Sequence, residues 1–265
     1  MQGLMDLKDI SQLRDLPNPP KQLYFIGHPH ALLFQHCVAI VGARAITEYG
    51  KRVIEMLVPK LVFEKKTIVS GFMRGVDQYA HRVCVENGGK TIAVLGWGID
   101  TVLSAEDKKL ADAIVANGGI LLSEWQTQRS TLWTFPVRNR IVAAIAKDVY
   151  IIEAGLKSGS LITANWAVKL KRKLFAVPGP ITNRVSEGTN QLIAHGLATM
   201  WLGTPIQQEQ SADPLVQLIG TEPLTIDQIA RKLSSPIADI GASLSLLLLS
   251  GQIVERNGVY YTKNN

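Results

Sequence analysis

Six short, nearly unbroken apolar runs punctuate the first part of the chain, at residues 38–42, 67–71, 91–96, 119–123, 149–154 and 174–178. Segments of helical length and periodicity separate them. Strands that are apolar at every position need cover on both faces, and helices crossing between parallel strands provide it. The pattern predicts an α/β fold with a doubly wound, mainly parallel sheet. In such sheets ligands bind outside the carboxyl ends of the strands.

The chain's 265 residues suffice for one large domain and a smaller one. Residues 1–37, with Pro17, Pro19, Pro20 and Pro29, read as an extended segment packed on the sheet domain of residues 38–203. A Gln-rich, charge-poor stretch at 204–212 reads as a linker. Residues 213–265 read as three short helices followed by two alternating runs joined at Asn257-Gly258, a strong hairpin signal. That arrangement predicts a small winged-helix-like domain.

Composition excludes disorder, since 46% of residues are apolar and 19% charged. Asp6, Asp9 and Asp15 interrupt any secretory signal, and the longest late uncharged run, residues 240–254, is too short to span a bilayer. Two cysteines, Cys37 and Cys84, make neither a disulfide framework nor a ligand spacing. A reducing, cytoplasmic setting without metal is expected.

Charge is uneven. Residues 1–205 carry 24 Lys/Arg against 16 Asp/Glu, whereas residues 206–265 carry 4 against 6. Between Arg129 and Arg184 ten basic residues face only Asp148 and Glu153. Such an excess fits a polyanionic partner, because neutralising phosphates releases condensed counterions; it also fits a solvated basic face.

Chemistry-bearing residues cluster just after the strands. Lys157-Ser158-Gly159-Ser160 opens a helix, where free amides and a positive dipole end make a phosphate site; simple capping by Ser158 or Ser160 is the other reading. Arg44, two residues past the first strand, can grip a phosphate with two hydrogen bonds or form a surface ion pair. Phe135-Pro136-Val137-Arg138-Asn139-Arg140 sets a ring, an amide and two cations within six residues, which suits single strands whose bases stack while the backbone follows the charges. Phe135, Trp125 and Trp133 fit the core equally well.

Catalytic sets are sparse. Asp77 and His81 stand at i, i+4 on a helix and can meet, but Ser70 lacks a Gly-x-Ser-x-Gly elbow to complete a triad. The P-loop spacing is absent, and Gly96-Trp97-Gly98 is a weak dinucleotide signal.

Taken in order, Val38-Ala39-Ile40-Val41-Gly42-Ala43-Arg44, Ser70-Gly71-Phe72-Met73-Arg74-Gly75-Val76-Asp77, Gly88-Gly89-Lys90-Thr91-Ile92-Ala93-Val94-Leu95-Gly96, Phe135 to Ile141, Lys157 to Ala164 and Phe175-Ala176-Val177-Pro178-Gly179-Pro180-Ile181 resemble the DprA/Smf DNA-processing family. The likeness runs from about Leu16 to Met200. It implies an extended Rossmann-like domain that binds and protects single-stranded DNA without catalysis or cofactor, helps load the RecA recombinase during natural transformation, and forms homodimers near residues 190–200. By resemblance the DNA site comprises Arg44, Ser70, Gly71, Arg74, Phe135, Arg138, Asn139, Arg140, Lys157, Ser158, Gly159 and Ser160, with Phe135 stacking.

Departures accompany it. Ala43 stands where a serine is usual, Trp97 replaces a small residue, and the loop Glu124-Trp125-Gln126-Thr127 lacks the common prolines. The last predicted helix holds no Lys or Arg, so the terminal unit is expected to contact protein rather than duplex DNA. An alternative from the enzyme class is a nucleotide or nucleoside-phosphate hydrolase using Asp77, His81 or Glu153. A basic partner-binding scaffold is a third.

Overall fold

The computed structural model describes residues 1–203, 214–249 and 252–262. The linker expected at 204–212 lies outside the described residues. The chain divides into two compact units, Met1–Gly203 and Thr204–Asn265.

The first unit contains a nine-stranded sheet. Its strands are β1 (Gln2–Leu4), β2 (Tyr24–Gly27), β3 (Cys37–Val41), β4 (Thr67–Ser70), β5 (Thr91–Val94), β6 (Ile120–Ser123), β7 (Asp148–Ile151), β8 (Lys173–Ala176) and β9 (Thr199–Met200). They lie in the order β1-β2-β6-β5-β4-β3-β7-β8-β9. From β6 to β9 every pairing is parallel, with Ala39 opposite Val69 and Val149. The two opening strands join antiparallel, Phe25 pairing with Leu122.

All six apolar runs are strands. The opening residues differ from an extended wrapper in that they supply two edge strands and three 3-10 turns. Strands of three and four residues are too short to show a period.

Alternation along each strand feeds two cores. Cys37, Ala39 and Val41 face one side with Val69, Ile92, Val94, Ile120 and Leu122; Val38, Ile40 and Ile68 face the other. The first side is covered by α4 (Thr134–Ile145), α5 (Ser160–Lys169) and α6 (Glu187–Ala194), the second by α1 (Glu48–Phe63), α2 (Val76–Glu86) and α3 (Ala105–Ala116). Helix α1 shows why these segments are helical. Thr47 caps it by accepting from the Gly50 amide at 3.1 Å, and Val53, Ile54, Leu57, Val58 and Leu61 form one apolar face.

Chain order reverses between β3 and β7, since β4, β5 and β6 extend one way from β3 and β7, β8 and β9 the other. That reversal opens a crevice at the strand ends.

The second unit holds α7 (Pro214–Thr221), α8 (Ile226–Leu233), α9 (Ile237–Leu249) and a three-stranded sheet of β10 (Leu224–Thr225), β12 (Val259–Thr262) and β11 (Ile253–Arg256). Thr225 and Gln228 make a reciprocal capping box for α8. Asn257 and Gly258 adopt φ of 54° and 77°, the left-handed pair that a tight hairpin turn requires. Ile219, Ile229, Ile240, Leu244 and Ile253 form its core. Among the described residues no single helix is long and apolar enough to cross a membrane; α8 and α9 pass that test only jointly, across a bend of 116°.

Candidate nucleic-acid cleft

A cleft of about 460 Å³ opens at the chain reversal, lined by the loops after β3, β4 and β7 and by the first turns of α4 and α5. Its rim and its floor are made differently.

On the rim, Gly42, Ala43 and Arg44 follow β3. Arg44 places its guanidinium 5.2 Å from the centroid of the Phe135 ring, a cation–π contact that orients both groups. Trp97 meets the same ring edge-on at 6.4 Å. Across the crevice, Lys157 is exposed and Ser158, Gly159 and Ser160 start α5. The Ser158 hydroxyl accepts from the Ser160 amide at 3.3 Å and lies 2.7 Å from the Ser160 hydroxyl. Gly159, at the cap position, offers no side chain. Asn139 joins the two sides by donating to the Gly159 carbonyl at 3.0 Å.

The floor is the turn from β4 into α2. Gly75 turns it at φ 87°, where a Cβ would lie 2.3 Å from the Ala43 carbonyl; the neighbouring Phe72, fully buried, also adopts a left-handed φ of 70°. Arg138 reaches in from α4, 2% exposed, and donates to the carbonyls of Gly71 and Val94. Asp77 is buried beside it and accepts from the Met73 amide at 3.3 Å. Burial pushes the Asp77 carboxyl up, opposed by Arg138, and pulls the Arg138 guanidinium down to about 10, so Arg138 stays charged at neutral pH.

His81 lies deeper. Thr91 donates to the Ile68 carbonyl at 2.8 Å, so its oxygen accepts from His81 Nδ1 at 2.7 Å. Burial, helped by Arg138, holds the imidazole down at about 3, and it is neutral at physiological pH. Glu153 accepts from the Thr47 amide at 3.0 Å and from the Thr47 hydroxyl, fixing the start of α1 to the end of β7. Ser70 donates to the Ile40 carbonyl at 2.5 Å. Ser70 also lies within hydrogen-bonding reach of Asp77, but His81 bonds to Thr91 instead, so the three do not form a Ser–His–Asp relay.

Of the twelve predicted site residues, nine line the cleft: Arg44, Gly71, Phe135, Arg138, Asn139, Lys157, Ser158, Gly159 and Ser160. Three do not. Ser70 is spent on a main-chain carbonyl beneath the floor, Arg74 is exposed outside the lining, and Arg140, 12% exposed, pairs with Glu124 at 2.7 Å. The expected cluster from Phe135 to Arg140 splays because these residues are the first turns of α4, which sends alternate positions to different sides. Asp77 of the hydrolase alternative lines the cleft as well, as do Met73, Val142 and Thr163, which carry no charge to single them out in sequence. Among the described residues, no group of three or more His, Cys, Asp or Glu could hold a metal ion.

Comparison with known proteins places this geometry. The model for DNA recombination-mediator protein A matches residues 8–210, and that for the DprA winged helix domain matches residues 203–258. Protein Smf of Escherichia coli is 34% identical over 94% of this chain and 73% of its own length. The DNA processing protein DprA of Streptococcus pneumoniae is 38% identical over 76% of this chain and 70% of its own. Among solved structures, DNA processing protein A from S. pneumoniae aligns with a TM-score of 0.69 at 34% identity, over 80% of this chain and 74% of that one. DNA processing protein A from Helicobacter pylori, described for its unique single-stranded DNA binding mode, aligns with 0.69 at 31% identity, over 77% and 92%. With a cleft at the chain reversal and agreement across both units, this chain belongs to the DNA recombination-mediator protein A family, the DprA/Smf proteins.

Proposed function

We propose that the cleft binds single-stranded DNA without catalysis, and that the protein protects the strand and helps load the RecA recombinase on it. The observation that carries this reading is the pairing of a guanidinium with an aromatic face, Arg44 over Phe135, opposite the Lys157–Ser160 helix start. A phosphate takes the cations and the α5 amides while a base takes the ring. A duplex hides its base faces and cannot use Phe135. The single-strand binding described for the H. pylori relative supports the same reading.

The protein works as a homodimer in the cytoplasm, with residues 190–200 near the self-association surface. A hydrolase is the weaker reading, because His81 is neutral and buried and Asp77 and Glu153 brace main-chain turns.

Fluorescence anisotropy with labelled single-stranded and duplex oligonucleotides tests the site. Preference for the single strand, weakened in Arg44→Ala and Lys157→Ala, is expected; binding indifferent to strandedness and to both substitutions would overturn it. RecA filament assembly on single strands, followed with and without the protein, tests the loading role.

A further inference from the structure

Beyond the cleft, three tryptophans gather at the ends of β5 and β6. The buried Ser123 hydroxyl donates to the Trp97 carbonyl at 2.5 Å and accepts from the Trp125 amide at 3.1 Å, so one side chain anchors both loops. Those loops are stitched further by Gly98 to Gln128 at 2.7 Å, Ile99 to Trp125 at 2.9 Å and Asp100 to Gln126 at 3.0 Å. Trp125 meets Trp133 edge-on at 5.7 Å, as Trp97 meets Phe135. The aromatic series is thus two separate ring pairs, Phe135–Trp97 at the cleft and Trp125–Trp133 beyond it, on loops that Ser123 ties together.

The far end of the series is exposed. Trp133 is 52% and its neighbour Leu132 92% accessible, on a framework held rigid by main-chain bonds. Burial does not account for so large a ring left in water. Just before Trp133 in the chain Arg129 is an exposed cation, whereas Arg138 is enclosed beneath the cleft floor and Arg140 is paired with Glu124. An aromatic pair whose outer ring is exposed, with Arg129 close by in the chain and Trp133 two residues ahead of the Phe135 that lines the cleft, matches unpaired bases on an anionic backbone.

We propose that Trp133, supported by Trp125, forms a second base-stacking subsite for single-stranded nucleic acid that leaves the cleft past Phe135 and Trp97. This rests on the cleft being the single-strand site. The subsite makes affinity depend on strand length, because a short oligonucleotide fills the cleft alone whereas a longer one also reaches Trp133.

The test uses the full chain with labelled oligothymidylates, one short and one longer, and compares wild type with Trp133→Ala, Trp133→Phe and Arg44→Ala. Trp133→Ala is expected to weaken the longer strand about five-fold or more while leaving the short one unchanged. Trp133→Phe keeps most of the affinity. Replacing the reaching bases by abasic sites removes the difference between wild type and Trp133→Ala, which a merely structural effect would not do. Equal affinity of wild type and Trp133→Ala for the longer strand, with Arg44→Ala still impaired, would overturn the subsite and leave the cleft standing. Equal loss on both lengths would overturn it as well, and indifference to Arg44→Ala would remove the cleft reading and the subsite with it.

Discussion

The floor and the rim of the cleft use the same residue types to opposite ends. On the floor Arg138 is enclosed, with two main-chain carbonyls and the Asp77 carboxylate around it, and has little left to offer a ligand. On the rim Arg44 rests on an aromatic ring and keeps its donors for something else. What separates a strut from a grip is the number of acceptors already within reach. The floor should therefore govern stability and the rim affinity.

The largest effect that could break this contrast is at Arg138. Arg138→Met takes the charged donor away from the Gly71 and Val94 carbonyls and the nearby positive charge away from buried Asp77, and should cost about 3–5 kcal/mol of stability, read by urea unfolding. A variant as stable as wild type would refute the strut.

Next comes pH. The folded pKa of His81 is depressed to about 3 from an ordinary 6.5, so the unfolded state binds the extra proton. Stability is lost as pH falls from about 6.5 towards 3, by up to about 1.4 kcal/mol per unit, and is flat above that window. Asp77, raised by burial, acts in the opposite sense in the acid range. Comparing wild type with His81→Gln across this window isolates the histidine; identical slopes would contradict its burial in the neutral form.

Arg44→Ala should be smaller in stability and larger in binding. Removing the ring contact costs about 0.5–1 kcal/mol of folding, whereas losing a charge-assisted phosphate bond weakens single-strand binding by about 1.5–3 kcal/mol. The smallest effect on binding belongs to Arg140. Its largely buried pair with Glu124 predicts that Arg140→Gln costs about 1–3 kcal/mol of stability, by leaving an enclosed carboxylate without its charged donor, while binding stays near wild type, measured by the same two assays.

The contrast also marks how far sequence reaches. Buried strands such as β3 and β5 are legible because their runs are almost wholly apolar, and the rim is legible because Arg44 and Lys157 lie in the loops that follow β3 and β7. The edges are not, since β1, β2 and β9 have two to four residues and half-exposed patterns. Nor is the floor. Arg138 and Arg140 are two residues apart and identical in type, and only the helix that begins at Thr134 decides that one points under the cleft and the other towards Glu124. In the second unit, the capping Thr225 and the Asn257-Gly258 turn are local signals, and the three helices and hairpin follow them.

The most direct test of rim against floor is the salt dependence of single-strand affinity. Each cation that neutralises a phosphate contributes about 0.7 to the slope of log K against log salt. An Arg44→Ala/Lys157→Ala double variant that unfolds like wild type should lose affinity and reduce that slope by about 1.4, two phosphate contacts fewer. An unchanged slope in this folded variant would mean that the rim cations touch no phosphate, and would contradict the assignment of the cleft to single-stranded DNA.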